Sequence, residues 1–166
     1  MIIQTDSREH MSEWKRISAQ FDKLGVKYFR SKLFVGDYMN LDNPRVAVDR
    51  KQNLTELCSN VTQDHERFRK EMIRAQENGI KLIFLVEHGE GIESLEDVIF
   101  WENPRRNKKK KVDGKWVWYE TKATTGEILY NILTTIKRKY GVEFEFCNKE
   151  DTGKRILELL GGGTDE

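Results

Sequence analysis

The sequence predicts a mixed α/β fold, with one mixed β-sheet flanked by helices. Two observations predict it. Apolar runs of strand length alternate along the chain with longer stretches whose apolar residues recur every 3–4 positions. The chain has 166 residues, of which 37% are hydrophobic and 34% charged, which suits one charge-rich domain with a full core.

Residues 1–5 form a short apolar run and read as the first strand, ended by Asp6-Ser7-Arg8-Glu9. A helix follows to about Leu24, with Trp14, Ile17, Phe21 and Leu24 on one face. Gly25 stops it. Residues 26–35 read as the second strand, and Asn40 to Pro44 carries turn chemistry. Residues 45–51 read as the third strand, antiparallel to the second if a hairpin joins them.

A long helical stretch follows, with one apolar stripe at Leu54, Leu57, Cys58 and Val61 and another at Phe68, Met72 and Ala75. Asn60 to Gln63 is where it would divide in two, and Asn78-Gly79 ends it. Residues 81–86 are nearly all apolar and close with Glu87, the pattern of a central strand covered on both faces. Residues 93–101 suit one short helix. Thr124-Thr125-Gly126-Glu127 reads as a capping box opening a helix that Gly141 ends. Residues 142–146 give a final core strand, and a last helix runs over about 149–160. The predicted order is β-α-β-β-α-β, then an α-β-α extension.

Between these elements, residues 104–122 look inserted. Arg105, Arg106, Lys108, Lys109, Lys110 and Lys111 lead to Asp113-Gly114, then to Trp116, Trp118 and Tyr119. Asp-Gly between extended runs predicts a hairpin. The segment is either a basic, aromatic arm that tracks nucleic acid or a solvated loop whose tryptophans cover the domain body.

The formal net charge is only +1, so any nucleic-acid surface must be local. No apolar run reaches membrane-span length, and the start of the chain lacks a secretory pattern. Cys58 and Cys147 read as buried thiols of an intracellular protein, cytoplasmic if bacterial or phage-encoded. The three histidines, His10, His65 and His88, lack zinc-ligand spacing, and neither GxxxxGK nor GxSxG occurs.

The chemistry concentrates at Asp49-Arg50-Lys51. Strand alternation points Asp49 and Lys51 to one face and Arg50 to the other. Asp37, twelve residues upstream, would bring a second carboxylate alongside. Two carboxylates and an ammonium at one sheet edge suit a divalent metal that orients a water against a phosphate. An acid-x-lysine triplet alone is common; its context makes it informative.

That context resembles the XPF-type nuclease domain of the PD-(D/E)XK superfamily, with its restriction-endonuclease-like fold, in a stand-alone short form. Asp6-Ser7-Arg8-Glu9 is similar to the family's D-x-R-E. Leu33 to Tyr38 resembles its L-x-x-GDY segment, and Asp49-Arg50-Lys51 stands where it has E-R-K. Glu66-Arg67-Phe68, the Leu82 to Glu87 strand and Thr152 also match in order and spacing.

The resemblance implies a metal-dependent endodeoxyribonuclease acting on branched or otherwise structured DNA. The expected cofactor is Mg²⁺, with Mn²⁺ able to substitute. Asp37, Asp49 and the Arg50 backbone carbonyl are the expected ligands, Lys51 the residue that steadies water or charge, and Asp6 a completing acid. Arg8, Arg67 and the 105–111 arm would contact DNA, with Glu9 and Arg50 in support; Glu9 is also suited to the first helical turn, favouring its dipole. Residues 1–160 would form one nuclease domain with the arm at 102–122 and a flexible tail at 161–166. The alternative is a catalytically inactive DNA-binding or partner subunit on the same fold. The apolar stripes at 128–136 and 156–160 suit either the core or a homodimer or partner face. Two departures stand out. Asp49 replaces the usual glutamate, and no tandem helix-hairpin-helix module follows, which shifts the grip on DNA to this domain or a partner.

Overall fold

The computed structural model describes residues 1–161. In chain order it comprises β1 (Ile2–Thr5), α1 (Met11–Lys23), β2 (Lys27–Arg30), β3 (Tyr38–Asn40), β4 (Asn43–Lys51), α2 (Leu54–Thr62) and α3 (His65–Glu77). It continues with β5 (Lys81–Glu87), a 3-10 turn (Leu95–Phe100), β6 (Asn107–Val112), β7 (Lys115–Glu120), α4 (Gly126–Tyr140), β8 (Glu143–Cys147) and α5 (Thr152–Gly161). Of the tail expected at 161–166, Gly161 closes α5 and the remainder lies outside the described residues.

Six strands pair in the order β2-β1-β3-β4-β5-β8. The sheet is mixed: β4 runs parallel to β5, and β5 to β8, while β3 is antiparallel to both β1 and β4. Side-chain alternation along β5 splits the core in two. Leu82, Phe84 and Val86 face α2, α3 and α4, where Leu57, Phe68 and Leu133 meet them. Ile83 and Leu85 face α1 and α5, against Ile17, Phe21 and Ile156. A strand buried on both faces must read as a continuous apolar run, and 81–86 does.

The second strand is shorter than residues 26–35 suggest. Only Lys27–Arg30 pairs, parallel to β1 at the sheet edge. Asp6 and Arg8 capture the next stretch: Leu33 N–H donates to Asp6 Oδ1 (2.9 Å), and Arg8 Nη2 donates to Leu33 O (3.0 Å). Leu33 and Val35 then sink into the core. The chain rejoins the sheet as β3, an unpredicted strand, so the β-hairpin is β3–β4 across Leu41-Asp42. The order therefore gains a strand over the expected β-α-β-β-α-β.

Of three smaller expectations, two hold and one changes. The helical stretch after β4 divides into α2 and α3, as Asn60 to Gln63 allows. The short helix expected over 93–101 forms at Leu95–Phe100, wound as a 3-10 turn. The α4 cap is Thr125, whose hydroxyl accepts from Ile128 N–H, so the box expected from Thr124 and Glu127 does not form. Gly126 explains the shift. A Cβ there would lie 2.5 Å from both Val98 O and Trp101 O, so only glycine lets α4 start against the 3-10 turn. Both cysteines are free thiols; Cys58 is buried, but Cys147 only half so.

β6 and β7 form a separate two-stranded sheet with all twelve residues exposed. Asp113 (φ 51°) and Gly114 (φ 77°) both take positive φ at its tip, as a tight primed turn requires.

Candidate active site

Gly36-Asp37 is locked where β1, β3 and β4 converge. Asp37 N–H donates to Val48 O (2.8 Å), and Asp6 N–H donates to Asp37 O (2.7 Å). Gly36 takes φ +71°, and a Cβ there would come within 3.0 Å of Val48 O. Glycine is thus required both for the backbone angle and for the approach to β4. The Asp37 carboxylate reaches across, and its Oδ2 accepts from Arg50 N–H (2.8 Å).

Asp49 and Lys51 occupy the same face of β4, both buried. Lys51 Nζ lies 3.0 Å from Asp49 Oδ1. It also sits 5.8 Å from the ring centres of Phe68 and Phe84. The ion-pair contact does not have hydrogen-bond geometry, and Asp49 Oδ1 remains a buried oxygen without a hydrogen-bond donor. Burial works against the Lys51 charge, but Asp49 and then Asp37 outweigh it and hold the ammonium above its ordinary range. Burial pushes the Asp37 carboxyl well up, and the charges of Asp49 and Glu9 push it further.

α3 adds a third carboxylate that sequence reasoning missed. Glu71 Oε1 accepts from Gly36 N–H (3.1 Å). Burial, then neighbouring Asp49, push its carboxyl up to about 7. The signal was present: Glu71 falls between Phe68 and Met72, an acid set beside the apolar stripe of an amphipathic helix.

These groups line a cleft of about 420 Å³, which also takes in Asp6, Arg8, Glu56, Asn60, Arg67 and Arg74. The structure places the expected residues unevenly around it. Asp6 lines the cleft, but its two oxygens already accept from Leu33 N–H and Arg8 Nε. Arg67 is exposed at the rim. Arg8 is tied to Asp6 and Leu33. Arg105 donates to Ser59 Oγ (2.7 Å) and Arg106 to Ala123 O (2.7 Å), so both anchor the root of the hairpin. Lys108, Lys109, Lys110 and Lys111 stand away from the cleft lining, on exposed β6.

Arg50 points to the opposite face of β4. Its guanidinium pairs with Glu9 (3.0 Å) and with Glu87. Glu87 also accepts from Arg16 (2.6 Å) and from Thr152 Oγ1 (2.8 Å). This buried network ties β4 and β5 to α1 and α5. Glu9 precedes α1 by two residues rather than sitting in its first turn, and Tyr38 OH donates to it as well. The apolar faces of the last helices are mostly spent inside: Leu129, Leu133, Ile156 and Leu160 are buried, while Ile128 is exposed.

The cleft fits a hard divalent ion. The buried Asp49 oxygen, met by its ion pair with Lys51 but by no aligned hydrogen bond, and the crowded Asp37 both gain from a nearby cation. Among the described residues, no three His, Cys, Asp or Glu side chains form a complete ligand cage. A hard divalent ion can be held by one or two carboxylates while it keeps water or substrate phosphate as its other ligands.

Among the described residues, no helix is long and apolar enough to cross a membrane. No curated protein matches the sequence. The fold is similar to XPF from Aeropyrum pernix, with a TM-score of 0.65 and 19% identity over 96% of this chain and 63% of that one. It is likewise similar to XPF from Aeropyrum pernix in complex with DNA, with a TM-score of 0.63, 19% identity and the same 96% and 63% coverage. This chain thus spans less than two thirds of either relative. The family model of the ERCC4 domain matches residues 5–160, and the chain belongs to that family.

Proposed function

We propose that this protein is a metal-dependent endodeoxyribonuclease that hydrolyses phosphodiester bonds in branched or otherwise structured DNA. The observation that carries the reading is the pairing of buried Asp49 with Lys51 on one face of β4, across from Asp37 in an open cleft. Family membership and a solved relative in complex with DNA support the choice of substrate.

Asp37 and Asp49 would hold Mg²⁺ or Mn²⁺, with the Arg50 carbonyl as a further oxygen ligand. When bound, the ion polarises the scissile phosphate and lowers the pKa of an attacking water. Lys51, kept charged by Asp49 and Asp37, would stabilise negative charge as it develops on the phosphate. Arg67 at the rim would meet the neighbouring phosphates. The Phe68 and Phe84 rings flank the Lys51 ammonium, each centred 5.8 Å away.

A panel of end-labelled flap, fork, four-way junction, duplex and single-stranded DNAs, incubated with Mg²⁺, tests the proposal. Cleavage of at least one branched substrate, abolished by EDTA, is the predicted result. No cleavage of any substrate in Mg²⁺ or Mn²⁺ would leave the inactive-subunit reading in its place.

A further inference from the structure

The β6–β7 hairpin is built unlike the rest of the molecule. It contains five lysines and two acids, in a chain whose total charge is +1. Its positive charge is therefore local, which is the electrostatic footprint of a polyanion site. None of its residues is buried. The tryptophans do not cover the domain body: Trp116 is 66% and Trp118 65% exposed.

The register sorts the side chains. Lys109 pairs with Trp118 and Lys111 with Trp116, and directly opposed residues of antiparallel strands share a face. One face therefore carries two tryptophans and two lysines. Lys109 Nζ lies 4.6 Å from the Trp118 ring centre, and Lys111 Nζ 5.7 Å from that of Trp116. Each ring thus has a cation over one face and much of its surface open to solvent. Along the strand the two positions that carry the rings are about 6.8 Å apart. That is twice the ~3.4 Å advance of stacked nucleotides in one strand.

The hairpin root is fixed close to the cleft. Arg105 is bonded to Ser59 on α2, and the next residue, Asn60, lines the cleft. Thr121 N–H donates to Arg106 O (2.6 Å), so the two ends of the hairpin meet at the body.

We infer that the Trp116–Trp118 face of the hairpin is a stacking platform for single-stranded DNA, which engages the unpaired segment of a branched substrate while the cleft engages the scissile phosphate. The substrate assignment rests on the nuclease reading above. Exposed aromatics stack on bases of any sequence, and the adjoining lysines neutralise the phosphates between them. Duplex DNA keeps its bases stacked inside and offers this face only phosphates. The platform therefore selects substrates with a single-stranded arm.

Fluorescence anisotropy in EDTA tests this without cleavage, using a labelled 15-nucleotide oligo-dT and a labelled 15-base-pair duplex. The double variant Trp116→Ala/Trp118→Ala loses roughly 10- to 100-fold in affinity for oligo-dT and clearly less for duplex. Trp116→Phe/Trp118→Phe recovers most of the loss. Replacing residues 107–120 by Gly-Gly, which joins ends already in contact, abolishes the preference for oligo-dT. Oligo-dT affinity unchanged by the alanine pair or by the excision, or equal losses on both DNAs, would overturn the inference. Because the readout is binding in EDTA, such a failure leaves the cleavage reading standing, and an inactive cleft leaves the platform standing.

Discussion

Asp49 and Lys51 share a face of β4 with Arg50 pointing away between them, so three consecutive residues serve two sides of the sheet. Lys51 contributes the cation, Asp49 a buried carboxylate paired with it, and Glu71 approaches from α3. Crowded acids make a testable demand. Glu71 rises from its ordinary 4.5 to about 7, so the folded state holds its proton over a range where the unfolded chain releases it. In metal-free protein that group therefore costs stability as pH climbs from about 4.5 through 7. Glu71→Gln removes the cost. The melting temperature of the variant relative to wild type, measured in EDTA, rises by about a few degrees between pH 5 and pH 8. A difference that stays constant or shrinks contradicts the assignment. Asp37 is also raised, and it remains in the variant, so some decline with pH persists in both proteins.

At the scale of elements, the strand ends carry the chemistry and the Glu87 network holds them in place. Glu87 has no side-chain exposure and accepts from Arg50, Arg16 and Thr152. Glu87→Ala leaves two guanidinium groups with a lost partner, one of them almost fully buried. Breaking a buried pair from one side costs about 3–5 kcal/mol, so urea unfolding of the variant shows a loss of that order. A loss below about 1 kcal/mol would mean that other contacts fix these elements. Local signals made several elements readable in advance. The apolar run at 81–86 marked β5, Asp113-Gly114 marked the β6–β7 tip, and alternation separated Asp49 and Lys51 from Arg50. β3 was not readable, because the backbone leaves the sheet only when Asp6 and Arg8 take hold of Leu33, contacts more than 20 residues apart. Glu71 was missed for a similar reason. Its sequence marks it as an oddity on a helix, but only the packing of α3 over Gly36 brings it to the cleft.

Across the whole molecule, charge is distributed by task. The body buries the ion pairs of Arg50 with Glu9 and Glu87 and gathers acids in a cleft, while the hairpin carries lysines and exposed tryptophans. The sequence resemblance found its frame in motifs lying at strand ends, and the fold brings Asp37, Asp49 and Lys51 to one cleft. The substitution of aspartate for the family's usual glutamate puts a carboxylate one methylene shorter at Asp49, closer to its own strand. The most direct measurement at this position is Mg²⁺-dependent cleavage of a labelled branched DNA by wild type and by Asp49→Asn, with circular dichroism confirming that the variant is folded. Wild type is expected to cleave, and the folded variant to lose at least about 100-fold in rate. Equal cleavage rates for the two proteins would contradict that expectation.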